Sequence, residues 1–115
     1  MKSIETSSDL EKFLALNKAL LLLSPEWSSY PKRVEDLLRR NEIELMKGNI
    51  SLGICRVDLC PVTEWLGKNT KHAGWAAGSG TIIAFKSGGI VGSADTPWSW
   101  TENQTLDWIS SVLPE

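Results

Sequence analysis

Cysteine is scarce in this 115-residue chain, with two residues, Cys55 and Cys60, and four residues between them. That excludes a disulfide framework, and the spacing is wider than the Cys-x-x-Cys of redox or zinc sites. Histidine is scarcer still, with His72 alone. A structural zinc site takes four Cys or His donors, so neither a metal nor any other cofactor is expected. A basic excess is missing too: 12 Lys and Arg stand against 14 Asp and Glu. The chain therefore has no electrostatic footprint for nucleic acid. The longest apolar run, Ala19-Leu20-Leu21-Leu22-Leu23, is far short of the roughly 20 residues that cross a bilayer. Met1-Lys2-Ser3-Ile4-Glu5 lacks the apolar stretch of a secretion signal. A cytoplasmic protein without membrane association is the expectation.

What is present suits one globular domain over residues 1–115. Hydrophobic residues make up 42% and charged residues 23%, enough to build a core and too apolar for disorder. Six tryptophans are many for this length, and Trp is enriched at interfaces.

Ser8-Asp9-Leu10-Glu11 has the form of a capping box, with Leu10, Phe13 and Leu14 on one face of a helix over 8–17. The apolar run 19–23 is short and bounded by Pro25, which favours a strand buried on both faces of a sheet. Pro31 suits the first turn of a second helix, reaching the mid-40s and stopping before Gly48. Val34, Leu37 and Leu38 supply its inward face, and Lys32, Arg33, Glu35, Asp36, Arg39 and Arg40 a solvated one. Residues 50–57 alternate as a strand, and Pro61 opens a short helix turning Val62, Trp65 and Leu66 inward. Thr81-Ile82-Ile83-Ala84-Phe85 and Ile90-Val91-Gly92 form a hairpin around Lys86-Ser87-Gly88-Gly89. Thr101-Glu102-Asn103-Gln104 is a second capping box, starting a helix with Leu106, Ile109 and Leu113 inward and Val112 beside them. The order α-β-α-β-α-β-β-α makes the first two strands parallel and the last two antiparallel, with helices on both faces.

This order is similar to the thioredoxin fold, and local residues sharpen the match. Glu26-Trp27-Ser28-Ser29-Tyr30-Pro31-Lys32 resembles that family's Glu-Trp-Cys-Gly-Pro-Cys-Lys at the end of a strand. Arg56-Val57-Asp58-Leu59-Cys60-Pro61 looks like Asn-Ile-Asp-x-Asn-Pro, and Gly80-Thr81-Ile82-Ile83-Ala84-Phe85-Lys86-Ser87-Gly88 like Pro-Thr-Leu-Leu-Leu-Phe-Lys-Asn-Gly. The resemblance covers about 6–113. It implies a three-layer α/β fold with a central mixed sheet of about four strands.

The departures matter for function. By the resemblance, Ser28 replaces the nucleophilic cysteine, Pro31 the resolving one, Leu22 the buried acid and Gly80 the cis-proline. A low-pKa thiolate at a helix N-terminus has no substitute in a serine hydroxyl lacking a base. Dithiol oxidoreductase activity is therefore not expected.

Bland and sharp readings remain for several residues. Ser28 reads first as a helix N-cap. Cys55 reads as a small buried hydrophobe. Cys60 precedes the helix start at Pro61 and is the candidate for a monothiol redox or sensor role, with Cys55 second. A bridge between them needs Cα atoms within roughly 7 Å, which a local bend provides and an extended spacer does not. His72 lies in a polar stretch with no triad partner. Trp65 and Trp108 fall on helices, whereas Trp75, Trp98 and Trp100 form a second aromatic patch, either plugging the core or meeting a partner.

The resulting expectation is a redox-inactive binding module of adaptor or chaperone-like type. Trp27, Ser28, Ser29, Tyr30, Pro31, Gly80 and Thr81 make its vestigial active-site surface. Its partner would be another protein or an extended peptide, and homo-oligomers are compatible with it.

Overall fold

The computed structural model describes residues 1–24, 30–56, 81–94 and 99–114, with the backbone alone at Tyr30 and Pro31. Its elements are β1 (Lys2–Ser3), α1 (Ser7–Leu14), β2 (Lys18–Leu23), α2 (Tyr30–Arg40), α3 (Glu42–Lys47), β3 (Ile50–Cys55), β4 (Ile82–Lys86), β5 (Gly89–Ala94) and α4 (Glu102–Val112). The short helix expected from Pro61 lies outside the described residues.

The five strands form one mixed sheet in the order β1-β3-β2-β4-β5. β2 runs parallel to β3, with Leu20 opposite Leu52 and Leu22 opposite Ile54. On its other side β2 is antiparallel to β4, and β4 to β5. The continuous apolar run has the outcome expected of it, since a central strand covered on both faces has no polar side to show. Every residue of β2 is buried. The sheet has one strand more than expected: Lys2 and Ser3 add a short parallel edge to β3.

Two apolar clusters face away from each other across the sheet. One joins Leu20, Leu22, Leu52, Ile54 and Ile82 to Val34, Leu37 and Leu38 of α2 and to Ile109 of α4. The other joins Leu21, Leu23, Cys55, Ile83 and Phe85 to Ile4 and to Leu10 and Phe13 of α1. Alternate side chains of each strand enter opposite layers, as pleating requires. Phe13 packs against the backbone at Gly53, where a Cβ would stand 2.7 Å from its ring. Glycine at that position is therefore a packing requirement.

Local signals fare unevenly. The box at Thr101 forms as expected: its hydroxyl accepts from the Gln104 N–H at 3.1 Å, and Gln104 returns the bond. In α1 the cap is Thr6 and not Ser8. The Thr6 hydroxyl accepts from the Asp9 N–H, while the Asp9 carboxylate accepts from the Thr6 and Glu5 amides. Asp9 is held below its ordinary pKa, first by the Glu5 amide. The helix also ends earlier than expected, with Leu14 its last residue.

The single helix expected from Pro31 is broken in two. At Asn41 the side-chain amide donates to the Leu37 carbonyl at 2.8 Å, where α2 ends and α3 begins one residue on. The stop at Gly48 holds, followed by Asn49 at φ 65, which turns the chain into β3. The β4–β5 hairpin closes with two residues, Ser87 (φ 52) and Gly88 (φ 85). Two left-handed residues in a two-residue loop match strand twist in this type of hairpin.

Candidate functional site

The described part of the site lies at the C-terminal ends of β2 and β3, where the chain leaves each strand. In α/β sheets, loops at that end are where ligands gather. The Leu23 amide donates to the Thr81 carbonyl at 2.9 Å, so the start of β4 sits beside the end of β2. The Ser24 amide likewise donates to the Cys55 carbonyl at 2.8 Å. The residues flanking segments 25–29, 57–60 and the chain before Thr81 therefore converge. Trp27, Ser28, Ser29, Gly80, Cys60, Trp75 and Trp98 themselves lie outside the described residues. Tyr30 is the first residue of α2 and Pro31 follows it in the opening turn, as the missing amide proton of proline allows.

Thr81 corrects one expectation. It is 0% exposed, so its side chain belongs to the core and contributes no surface to the site. Its part is to hold the backbone against Leu23.

Leu22 is also 0% exposed and faces Ile54 across the parallel pair. It packs in the apolar layer with Leu20, Ile82 and the α2 residues Val34 and Leu38. No proton-transferring group stands at this position.

Polar chemistry appears one step further along both strands. Arg56, just past β3, donates through Nη1 to the Ser24 carbonyl (3.3 Å), the Ser24 hydroxyl (2.8 Å) and Glu35 Oε1 (3.3 Å). Glu35 Oε2 accepts from Arg39 Nε at 3.1 Å, an i,i+4 pair on α2. Glu35 is only 9% exposed. This corrects its assignment to a solvated face, because the helix turns it toward the strand ends, where Arg56 meets it, while Arg39 covers it from the exposed side. Both carboxylate oxygens are engaged, so Glu35 serves as a clasp and not as a free acid or base. The sequence signal was available: Glu35 is one residue beyond Val34 and two before Leu37, at the margin of the apolar stripe.

Cys55, the second candidate for a redox role, ends β3 and is 0% exposed, with its side chain in the apolar layer beside Leu23 and Ile83. Trp100, by contrast, is half-buried and packs on Trp108 of α4, ring centroids 6.1 Å apart and planes tilted by 58°. Of the three tryptophans expected to form an aromatic patch, Trp100 alone is among the described residues, and its described ring partner is Trp108, read from sequence as core or boundary.

Beside the site, an open groove of about 390 Å³ runs between α2 and α4, lined by Lys32, Arg33, Asp36, Leu37, Arg40 and Glu102. An Arg40–Glu102 ion pair bridges it, and the hydrogen bond from Arg40 holds the Glu102 carboxyl below its ordinary pKa. Among the described residues no cluster of His, Cys, Asp and Glu could hold a metal ion, and no helix is long and apolar enough to cross a membrane.

No family model matches the chain, and no curated protein sequence matches it. Solved structures do. The thioredoxin of Fasciola hepatica superposes with a TM-score of 0.73 at 16% identity, covering 97% of this chain and 99% of that one. The thioredoxin of Plasmodium falciparum gives 0.76 at 12% identity, covering 96% and 98%. A thioredoxin variant from Halobacterium salinarum gives 0.72 at 15%, covering 99% and 91%. At such identities the likeness is one of fold, and the fold is thioredoxin-like.

Proposed function

We propose that this thioredoxin-like chain is a redox-inactive binding module, taking an extended segment of another protein at the C-terminal end of its central strands. The observation that carries the reading is Leu22. It stands where the resemblance places a proton-transferring acid, and it is sealed in an apolar layer opposite Ile54. With Ser28 and Pro31 at the two thiol positions, the chemistry of disulfide exchange has neither its thiolates nor its proton relay. By the resemblance, Trp27 and Tyr30 would remain as the binding surface, and a glycine at position 80 would allow close backbone approach. The clasp of Arg56, Ser24 and Glu35 supports this reading, because it stiffens the strand ends and lowers the entropy cost of binding there.

The test has two arms. Insulin reduction by dithiothreitol should proceed no faster with the protein than without it. Partners captured from host extract should be lost with Trp27→Ala while the melting temperature stays unchanged. Turnover in the first assay that Cys60→Ser abolishes would replace this reading with a monothiol one.

A further inference from the structure

The clasp at the strand ends is not used up by the contacts that form it. Ser24 lies one residue past β2 and Arg56 one residue past β3, so both stand at the end of the sheet where the bound segment is placed. All three bonds that Arg56 makes to described residues leave from Nη1. Its Nε–Nη2 edge, which takes a carboxylate side-on through two parallel bonds, has no partner among the described residues. The side chain is 35% exposed. Arg39 is built in the same way. It bonds to Glu35 through Nε, its two terminal nitrogens bond to no described residue, and its side chain is 49% exposed. Anchoring at one nitrogen orders each long side chain on folding, so less entropy is lost when a ligand arrives.

Charge selects the occupant. Arg56 and Arg39 sit on the two oxygens of one carboxylate, so the trio carries a single net positive charge. That balances one carboxylate, whereas a phosphate brings about −1.5 to −2. The surroundings have the same sign. α2 carries Lys32, Arg33, Arg39 and Arg40 against Glu35 and Asp36. Arg56 and Glu102, paired with this helix from outside it, add one charge of each sign. An excess of two positive charges therefore surrounds α2, in a chain whose net charge is −2. A positive patch on an otherwise acidic protein favours a partner of the opposite sign.

We propose that the segment bound at these strand ends is acidic, and that one of its Asp or Glu side chains seats on the Nε–Nη2 edge of Arg56 with Arg39 beside it. This deepens the binding-module reading and rests on it.

Panning a random peptide phage library against the whole chain tests both. The selected sequences should be enriched in Asp and Glu, and panning against Arg56→Lys, or against the more exposed Arg39→Gln, should lose that enrichment. For a peptide so selected, replacing its acidic residues by the amides should weaken binding to the wild type by about tenfold in fluorescence anisotropy. The same replacement should matter less for Arg56→Lys, because the partner of the carboxylate is already gone. Lys12→Gln, which removes a cation on α1, should leave binding as it was. Selected sequences without acidic enrichment overturn the proposal and leave the binding-module reading standing, whereas a library that yields no binder overturns both. Equal weakening in wild type and Arg56→Lys also overturns it, as does tighter binding of oligouridine than of any selected peptide. Circular dichroism and the melting temperature of each variant separate a lost contact from a lost fold.

Discussion

Arg56 Nη1 lies 3.3 Å from Glu35 Oε1, joining the end of β3 to the second turn of α2 across 21 residues of sequence. Each partner has a further anchor, Ser24 for the arginine and Arg39 for the glutamate. Charged hydrogen bonds of this kind contribute about 1.5–3 kcal/mol. Glu35→Ala and Arg56→Ala should each lower unfolding free energy in urea by about that much. The double variant should lose less than the sum, because the two share one interaction. Additive losses would show that the pair is not coupled.

Leu22 occupies a dry layer, so Leu22→Asp should not convert the chain into an oxidoreductase. It should instead destabilise the fold by about 2–7 kcal/mol, the cost of burying a polar group with no partner. Thermal melting should show a large fall, and a variant melting near the wild-type temperature would mean that water reaches this position.

Gly53 has no room for a side chain beneath Phe13, which is itself only 1% exposed. Gly53→Ala should cost about 1–3 kcal/mol through displacement of the ring. Pairing it with Phe13→Leu should recover part of that loss, since the clash is with the ring. No recovery would place the strain elsewhere.

The Thr6 cap predicts an acid-sensitive helix. Because Asp9 has its pKa lowered in the folded state, its contribution is present above the unfolded value and is lost as pH falls through the folded one. Stability should decline below about pH 4, and Asp9→Asn should flatten that decline. Thr6→Ala should cost about 1 kcal/mol at neutral pH, whereas Ser8→Ala should be nearly silent. The reverse ranking would return the cap to Ser8.

Why Thr6 and not Ser8 holds the cap could not be read locally, since Thr6-x-x-Asp9 and Ser8-x-x-Glu11 both fit the pattern. The choice depends on where the chain leaves β1, which Lys2 and Ser3 fix by pairing with Gly53 and Ile54. The inward tilt of Glu35 was hidden for a similar reason. A carboxylate at the margin of an apolar stripe reads as solvated until a cation from another strand arrives beside it. Asn41 shows the same dependence, being polar and helix-compatible until its amide turns back to Leu37.

By itself the sequence determined the buried centre of the sheet, the turn at Ser87 and Gly88, the helix stop at Gly48 and the box at Thr101. Each depends on apolar run length or on backbone preferences within a few residues. Only the tertiary structure decided that the Lys2–Ser3 edge joins the sheet, that Leu22 faces Ile54 and that Arg56 reaches Glu35. These are relationships between residues distant in sequence, and sheet register sets them. The absent thiols were visible from the first reading. That an apolar layer and a charged clasp close the ends of β2 and β3 follows from how β2, β3 and α2 pack.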